Sequence, residues 1–173
     1  MDLLERFKNI SAFVFDVDGV LTDGTVLLLE NGLQARRMHT KDGLALQMAL
    51  RHGYRVLIVS GAHSEPVVTR MKYLGLTEVH TAVKDKKAFL EAWSTEQQIP
   101  FGQMLFMGDD LPDLPAIRAV GVGACPADAV SEVRSAATYT SPLNGGAGCV
   151  RDVIEKVLRL NDHWIFETGI TSR

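Results

Sequence analysis

Short apolar runs alternate along this chain with longer amphipathic segments. Ala12–Phe15, Arg55–Val59, Glu78–Val83, Met104–Met107 and Gly121–Ala124 predict strands. Val14, Val56, Ile58, Val59 and Phe106 give them the β-branched and aromatic content that strands favour. Between them, helices are predicted over Gly43–His52, Ser64–Leu74, Lys87–Gln98, Pro112–Val120, Ala127–Ala137 and Gly148–Leu160. Ser64, Glu65 and Pro66 suit a first helical turn, and Gly53 and Gly75 suit helix stops. Strand alternating with helix predicts an α/β fold, a parallel sheet with helices on both faces. Thr25–Met38 breaks the rhythm. Val26–Leu29 and Leu33–Met38 flank Asn31-Gly32, which predicts a β-hairpin inserted after the first strand. Without a linker, repeat or low-complexity tract, residues 1–173 read as a single domain. The tail from Asn161 to Arg173 is weakly patterned and is expected to be mobile.

Composition narrows the class. Hydrophobic residues make up 46% of 173 positions, enough to bury a core without disulfides or a structural metal. A net charge of −3 argues against a nucleic-acid binder. Cys125 and Cys149 form no CxxC pair and read as free thiols in a reducing compartment. Met1–Ile10 carries Asp2, Glu5, Arg6 and Lys8 and lacks the apolar run of a signal peptide. No stretch approaches the roughly 20 apolar residues needed to span a bilayer. A cytoplasmic protein is expected.

The informative residues follow the strands. Asp16 and Asp18 come directly after Ala12–Phe15, and Ser60-Gly61 directly after Arg55–Val59. Asp85-Lys86 follows Glu78–Val83, and Gly108-Asp109-Asp110 follows Met104–Met107. In a parallel sheet these all fall at carboxyl ends of strands, the edge where open α/β folds bind ligands. Asp16, Asp18 and Asp109 would converge, with Asp110 and Asp113 close by. Carboxylates so placed repel unless a cation intervenes, and an all-oxygen site with few protein ligands suits Mg²⁺ shared with a phosphate. Lys86 adds a cation, and Ser60 adds a hydroxyl and following N–H donors. Together they suit phosphoryl transfer.

Each element has a plainer reading. A calcium loop beginning at Asp16 would want Gly and Glu where Leu21 and Leu27 stand. Asp110 and Asp113 read equally well as helix caps. Ser60-Gly61 alone is a turn, and Lys86 alone a surface lysine. The four together, in this order, outweigh those readings. Asn144-Gly145-Gly146-Ala147-Gly148 could cradle an anion at a helix N-terminus. It fits neither common phosphate-loop pattern and is better read as a plain loop.

The run Asp16-Val17-Asp18-Gly19-Val20-Leu21-Thr22-Asp23-Gly24 resembles the first motif of the haloacid dehalogenase superfamily. Ser60-Gly61 resembles the second motif, Lys86 the third, and Gly108-Asp109-Asp110-Leu111-Pro112-Asp113 the fourth. Within the superfamily the chain is most similar to 3-deoxy-D-manno-octulosonate (KDO) 8-phosphate phosphatases. They share the extended first motif, a following hairpin, a segment like Lys41-Asp42-Gly43 and a late glycine cluster like Gly145–Gly148. The resemblance covers about residues 10–160. It implies a Rossmann-like fold of the haloacid dehalogenase type with no large cap domain. It also implies a phosphomonoester hydrolase acting on a phosphorylated sugar acid and feeding lipopolysaccharide synthesis.

The resemblance implies roles as well. Asp16 would attack phosphorus and become an aspartyl phosphate, and Asp18 would act as general acid, then base. Mg²⁺ would be held by the Asp16 and Asp109 carboxylates and the Asp18 backbone carbonyl. Ser60, Gly61 and Lys86 would hold phosphate oxygens. Asp18, His39, Thr40, Lys41, Asp42, Gly43, Arg70 and Lys86 would contact substrate. The hairpin Thr25–Met38 would build a homotetramer that closes the active site, and apolar Val26–Leu29 suits buried contact.

Two positions depart from the family pattern. Ala62-His63 stands where an arginine commonly follows Ser60-Gly61, and Gln47 stands where close relatives carry lysine. A lost charged hydrogen bond costs about 1.5–3 kcal/mol, enough to change substrate preference. A related nonulosonate 9-phosphate is therefore the alternative substrate. A non-catalytic module driving oligomerisation beside a sugar-nucleotide synthetase is a further alternative, disfavoured by the intact motifs. A phosphomutase is disfavoured by the absence of a cap to exclude water.

Overall fold

The computed structural model describes residues 2–165. Among the described residues, eight strands and seven α-helices follow in chain order. The strands are β1 (Ala12–Phe15), β2 (Leu27–Leu28), β3 (Gln34–Ala35), β4 (Arg55–Val59), β5 (Glu78–His80), β6 (Met104–Met107), β7 (Val122–Cys125) and β8 (Tyr139–Thr140). The helices are α1 (Leu3–Lys8), α2 (Thr40–Arg51), α3 (Glu65–Tyr73), α4 (Lys86–Gln97), α5 (Leu114–Ala119), α6 (Ser131–Ala136) and α7 (Cys149–Leu160). Six strands form one parallel sheet in the order β5-β4-β1-β6-β7-β8. The chain builds outward from β1 through β4 and β5, then crosses back to β6 on the other side. That reversal opens a crevice beyond the carboxyl ends of β1 and β6, where open α/β sheets take ligands.

Both sheet faces are covered. Phe13 and Phe15 of β1 join one cluster with residues of α1, α2, α3 and α7. Ala12 and Val14, facing the other way by strand alternation, join a second cluster with α4, α5 and α6. Burial on both sides explains why β1, β4 and β6 read as continuous apolar runs.

Several boundaries differ from the sequence pattern for local reasons. The strand expected to run to Val83 ends at His80, where the chain turns through Ala82 at φ 57° and Val83 N–H donates to the Ser60 carbonyl. The sheet strand expected at Gly121–Ala124 is shifted one residue, because Gly121 N–H donates to the Phe101 carbonyl instead. The hairpin is present but thin. Leu27–Leu28 pairs antiparallel with Gln34–Ala35, and Thr22 bridges Met38 at its base. α1 went unanticipated, although Asp2 and Glu5 form the reciprocal cap that marks a helix start. β8 is two residues long and carries no periodicity to read.

The first residues of the tail expected to be mobile make packing contacts. Tyr54 Oη lies 3.0 Å from His163 Nδ1, and the His163 ring stacks on His52. Arg151 and Arg159 lie over the Trp164 ring at 5.2 and 5.9 Å. The remainder of the tail, 166–173, lies outside the described residues.

Candidate active site

The DxDG run leaves β1 and turns at once. Asp16 is extended, Asp18 sits at φ −72°, ψ 126°, and Gly19 at φ 79°. Only glycine suits Gly19. Its φ is left-handed, and a Cβ there would collide with the Asp109 carboxylate. The close approach brings the ends of β1 and β6 together. The late glycine cluster serves the same packing. Gly146 N–H donates to the Val20 carbonyl, and a Cβ on Gly145 would overlap the Gly19 carbonyl. Asn144–Gly148 is thus a backbone-packing loop behind the DxDG turn.

A cavity of about 500 Å³ opens at this edge, lined by Asp16, Asp18, Ser60, Gly61, Lys86 and Asp109, together with Ala62, Lys84, Asp110 and Asp113. Lys86 is buried at the first position of α4, and its ammonium lies 2.9 Å from Asp16 Oδ1 and 2.6 Å from Asp113 Oδ1. Asp113 also accepts from the backbone N–H groups of Asp109 and Asp110, at 3.0 and 3.4 Å. It therefore does more than cap a helix: it holds Lys86 and the Asp109 loop in register. Asp110 does cap, accepting from Leu111 N–H at 2.7 Å. Buried Ser60 accepts on Oγ from Ala62 N–H at 3.2 Å.

The electrostatics are those of crowded anions. Burial, with repulsion from Asp113, pushes Asp16 up to about 6 despite Lys86. Burial and the neighbouring Asp16, Asp113 and Asp110 push Asp109 up to about 7. Burial pulls the Lys86 ammonium down, but its attraction to Asp16 and Asp113 outweighs that and leaves it above its ordinary value. Carboxylate oxygens of Asp16, Asp109 and Asp113 lie within 4.8 Å of one another. An oxygen-only set that ionises reluctantly by itself fits a hard divalent cation, which would favour the charged forms. Asp113 already serves Lys86 and two amides, so Asp16 and Asp109 are the carboxylates best placed for such an ion.

Of the residues expected to contact substrate, Asp18 and Lys86 line this cavity and the others lie outside it. His39, Asp42, Gly43 and Arg70 surround a small enclosure with Leu21, Met38 and Leu74. His39 caps α2, accepting from Lys41 N–H at 3.2 Å, and Thr40 opens the helix. Lys41 lines a separate surface hollow with Arg151 and Lys156. Asp42 is buried and accepts from Arg151 N–H at 2.7 Å, so it caps α7 from α2. Gln47 donates to the Gly43 carbonyl at 3.3 Å, and the His63 ring meets Thr81 Oγ1 at 2.9 Å.

One residue the sequence reading did not single out reaches the cavity wall. Arg36, just after β3, places Nε 2.6 Å from Asp18 Oδ1 and Nη2 3.4 Å from Oδ2. Hairpin alternation alone could have flagged it as inward-facing, but not its partner.

Residues 72–154 match the model of the haloacid dehalogenase-like hydrolases. The KDO 8-phosphate phosphatase of Yersinia pestis is 30% identical over 171 residues, covering 98% of this chain and 91% of that protein. Among solved structures, a probable YrbI family phosphatase from Pseudomonas syringae superposes with a TM-score of 0.91 at 38% identity, covering 94% and 92% of the two chains. The Moraxella catarrhalis KDO 8-phosphate phosphatase, solved in complex with magnesium ion, phosphate ion and KDO, superposes with a TM-score of 0.90 at 32% identity, covering 92% of each chain.

Proposed function

The chain belongs to the 3-deoxy-D-manno-octulosonate 8-phosphate phosphatase family of haloacid dehalogenase-like hydrolases, and from that premise we propose that it hydrolyses octulosonate 8-phosphate to KDO and phosphate with Mg²⁺. The observation that carries the reading is the convergence of Asp16, Asp18, Asp109, Ser60 and Lys86 on one cavity at the β1/β6 crevice.

The residues divide the work as follows. An Asp16 carboxylate oxygen attacks phosphorus, forming the aspartyl phosphate as the bond from phosphorus to the sugar oxygen breaks. Asp18 gives its proton to the departing alkoxide. A water oxygen then attacks the same phosphorus, its proton passing to Asp18, and the bond from Asp16 to phosphorus breaks to release phosphate. Lys86, the Ser60 hydroxyl and the Gly61 amide hold phosphoryl oxygens. The Asp16 and Asp109 carboxylates and the Asp18 backbone carbonyl would hold Mg²⁺. When bound, Mg²⁺ supplies neutralisation of the phosphoryl oxygens.

The exposed hairpin leucines, Leu27 at 62%, Leu28 at 73% and Leu33 at 62%, support a homotetramer built through the hairpin. In that assembly His39–Gly43 and Arg70 are the residues we assign to the sugar. The reaction product would feed lipopolysaccharide synthesis. The two free thiols suit a cytoplasmic enzyme; no helix among the described residues is long and apolar enough to cross a membrane. A related nonulosonate 9-phosphate is the second reading. It is favoured by Gln47, a neutral amide that donates to the Gly43 carbonyl, and by Ala62-His63, of which Ala62 lines the cavity while the His63 ring meets Thr81.

Phosphate release from octulosonate 8-phosphate, nonulosonate 9-phosphates and simple sugar phosphates tests both readings. Octulosonate 8-phosphate should give the highest kcat/KM, EDTA should abolish turnover and Mg²⁺ restore it. Asp16→Asn should be inactive yet folded. Release by Asp16→Asn, or full activity without metal, defeats the mechanism.

A further inference from the structure

We propose that Arg36 is a positioning residue that sets the Asp18 carboxylate for proton transfer, so that the hairpin contributes to catalysis within its own protomer. The inference rests on the acid–base role assigned to Asp18 above.

Arg36 and Arg37 follow β3 directly. Each takes an aspartate from the same catalytic loop. Arg37 pairs with Asp23 at 2.8 Å, and its side chain is 83% exposed. Such a pair contributes little. Arg36 differs: its side chain is only 10% exposed, and it meets Asp18 with Nε at 2.6 Å and Nη2 at 3.4 Å. Among the described residues, the hydrogen bonds on the Asp18 carboxylate come from this guanidinium. The Asp18 side chain is 36% exposed. The two-point contact holds the carboxylate from one side, closely at Oδ1 and more loosely at Oδ2. Oδ1 is held closely, while Oδ2 has only the looser contact and remains for exchange with the reacting oxygen.

Proton transfer needs that order. The donor must lie within hydrogen-bond reach of the leaving oxygen, and a displacement of about 1 Å can cost roughly 100-fold. The demand depends on the leaving group. A sugar alkoxide needs the proton, whereas p-nitrophenolate departs readily without it. A residue that acts through Asp18 must therefore matter more for an alkyl phosphate than for an aryl phosphate. A hairpin strut would lower both alike.

The test compares kcat/KM, which reads the leaving-group step and not the shared hydrolysis of the aspartyl phosphate, on octulosonate 8-phosphate and on p-nitrophenyl phosphate for wild type, Arg36→Ala, Arg36→Lys and Arg37→Ala, with thermal melts to establish folding. Arg36→Ala should lose on the order of 100-fold on the alkyl phosphate and under about 5-fold on the aryl phosphate. Arg36→Lys should recover part of the alkyl loss, and Arg37→Ala should leave the ratio unchanged. In an Asp18→Asn background, Arg36→Ala should cost nothing further. Equal losses on both substrates, no loss, or a full independent loss in the Asp18→Asn background would each overturn the proposal. A wild type inactive on octulosonate 8-phosphate but active on another sugar phosphate defeats the substrate reading alone. The Arg36 comparison then runs on that phosphate.

Discussion

Lys86→Met isolates the cost of the crowded anions. The substitution keeps the stem of the side chain and removes the ammonium. Lys86 is 5% exposed, and its partners Asp16 and Asp113 are 12% and 1% exposed at the side chain. The variant would thus leave two buried carboxylates without their shared cation, with Asp109 beside them. Removing one partner of a buried ion pair costs about 3–5 kcal/mol, because the orphaned charge remains desolvated. For a domain of this size that corresponds to a fall in Tm of roughly 6–20 °C. The pH dependence follows from the direction of the shifts. Asp16 and Asp109 are raised to about 6 and about 7, and Lys86 lowers both, so its loss raises them further. A carboxyl with a folded pKa above its unfolded value binds more protons when folded, so its penalty is present at high pH and fades as pH falls through the folded pKa. The deficit of the variant against wild type should therefore be largest at pH 8 and shrink towards pH 5. Urea denaturation of both proteins in EDTA, at the two pH values, measures it. A parallel series in Mg²⁺ should narrow the gap, since the ion replaces part of the lost positive charge. A loss below about 1 kcal/mol at pH 8, or an equal loss at both pH values, refutes the reasoning.

Asp42 carries an opposite prediction. Its Oδ1 accepts from Arg151 N–H, while Oδ2 is buried with no hydrogen-bond partner among the described residues, and burial raises the group to about 6 from 3.8. Ionisation therefore costs stability as pH rises through that window, so Asp42→Asn, which keeps the acceptor, should gain about 1–3 kcal/mol at pH 7.5 and nothing below pH 4. Denaturant midpoints at the two pH values decide it, and no gain at pH 7.5 removes the argument. Gly145→Ala drives a methyl into the Gly19 carbonyl behind the DxDG turn. It should lower stability by roughly 1–3 kcal/mol and turnover together, read by melting and phosphate release. Leu28→Glu places a charge on hairpin strand β2, where Leu28 is 73% exposed. Light scattering should then report a smaller species than wild type, and an unchanged mass would remove the hairpin from the interface.

Much of the frame is written in local pattern. β1, β4 and β6 are each a short apolar run stopped by Asp16, Ser60 or Gly108, so periodicity and turn residues locate them without tertiary information. The parallel sheet then places those stops on one edge, which is why the candidate cavity was legible from spacing. The cap Asp2–Glu5 of α1 is equally local. What the sequence could not determine is which long side chain meets which carboxylate. Lys86 meets Asp113 across 27 positions, Arg36 meets Asp18 across 18, and Arg151 N–H meets Asp42 across 109. None of these pairs has a repeat or motif of its own, because their distance depends on how the hairpin, α4 and α7 pack against the sheet. The sequence determined that acidic residues and a lysine stand at strand ends. Only the tertiary structure decided that Asp113 holds Lys86, that Asp42 caps a distant helix, and that a hairpin arginine grips Asp18.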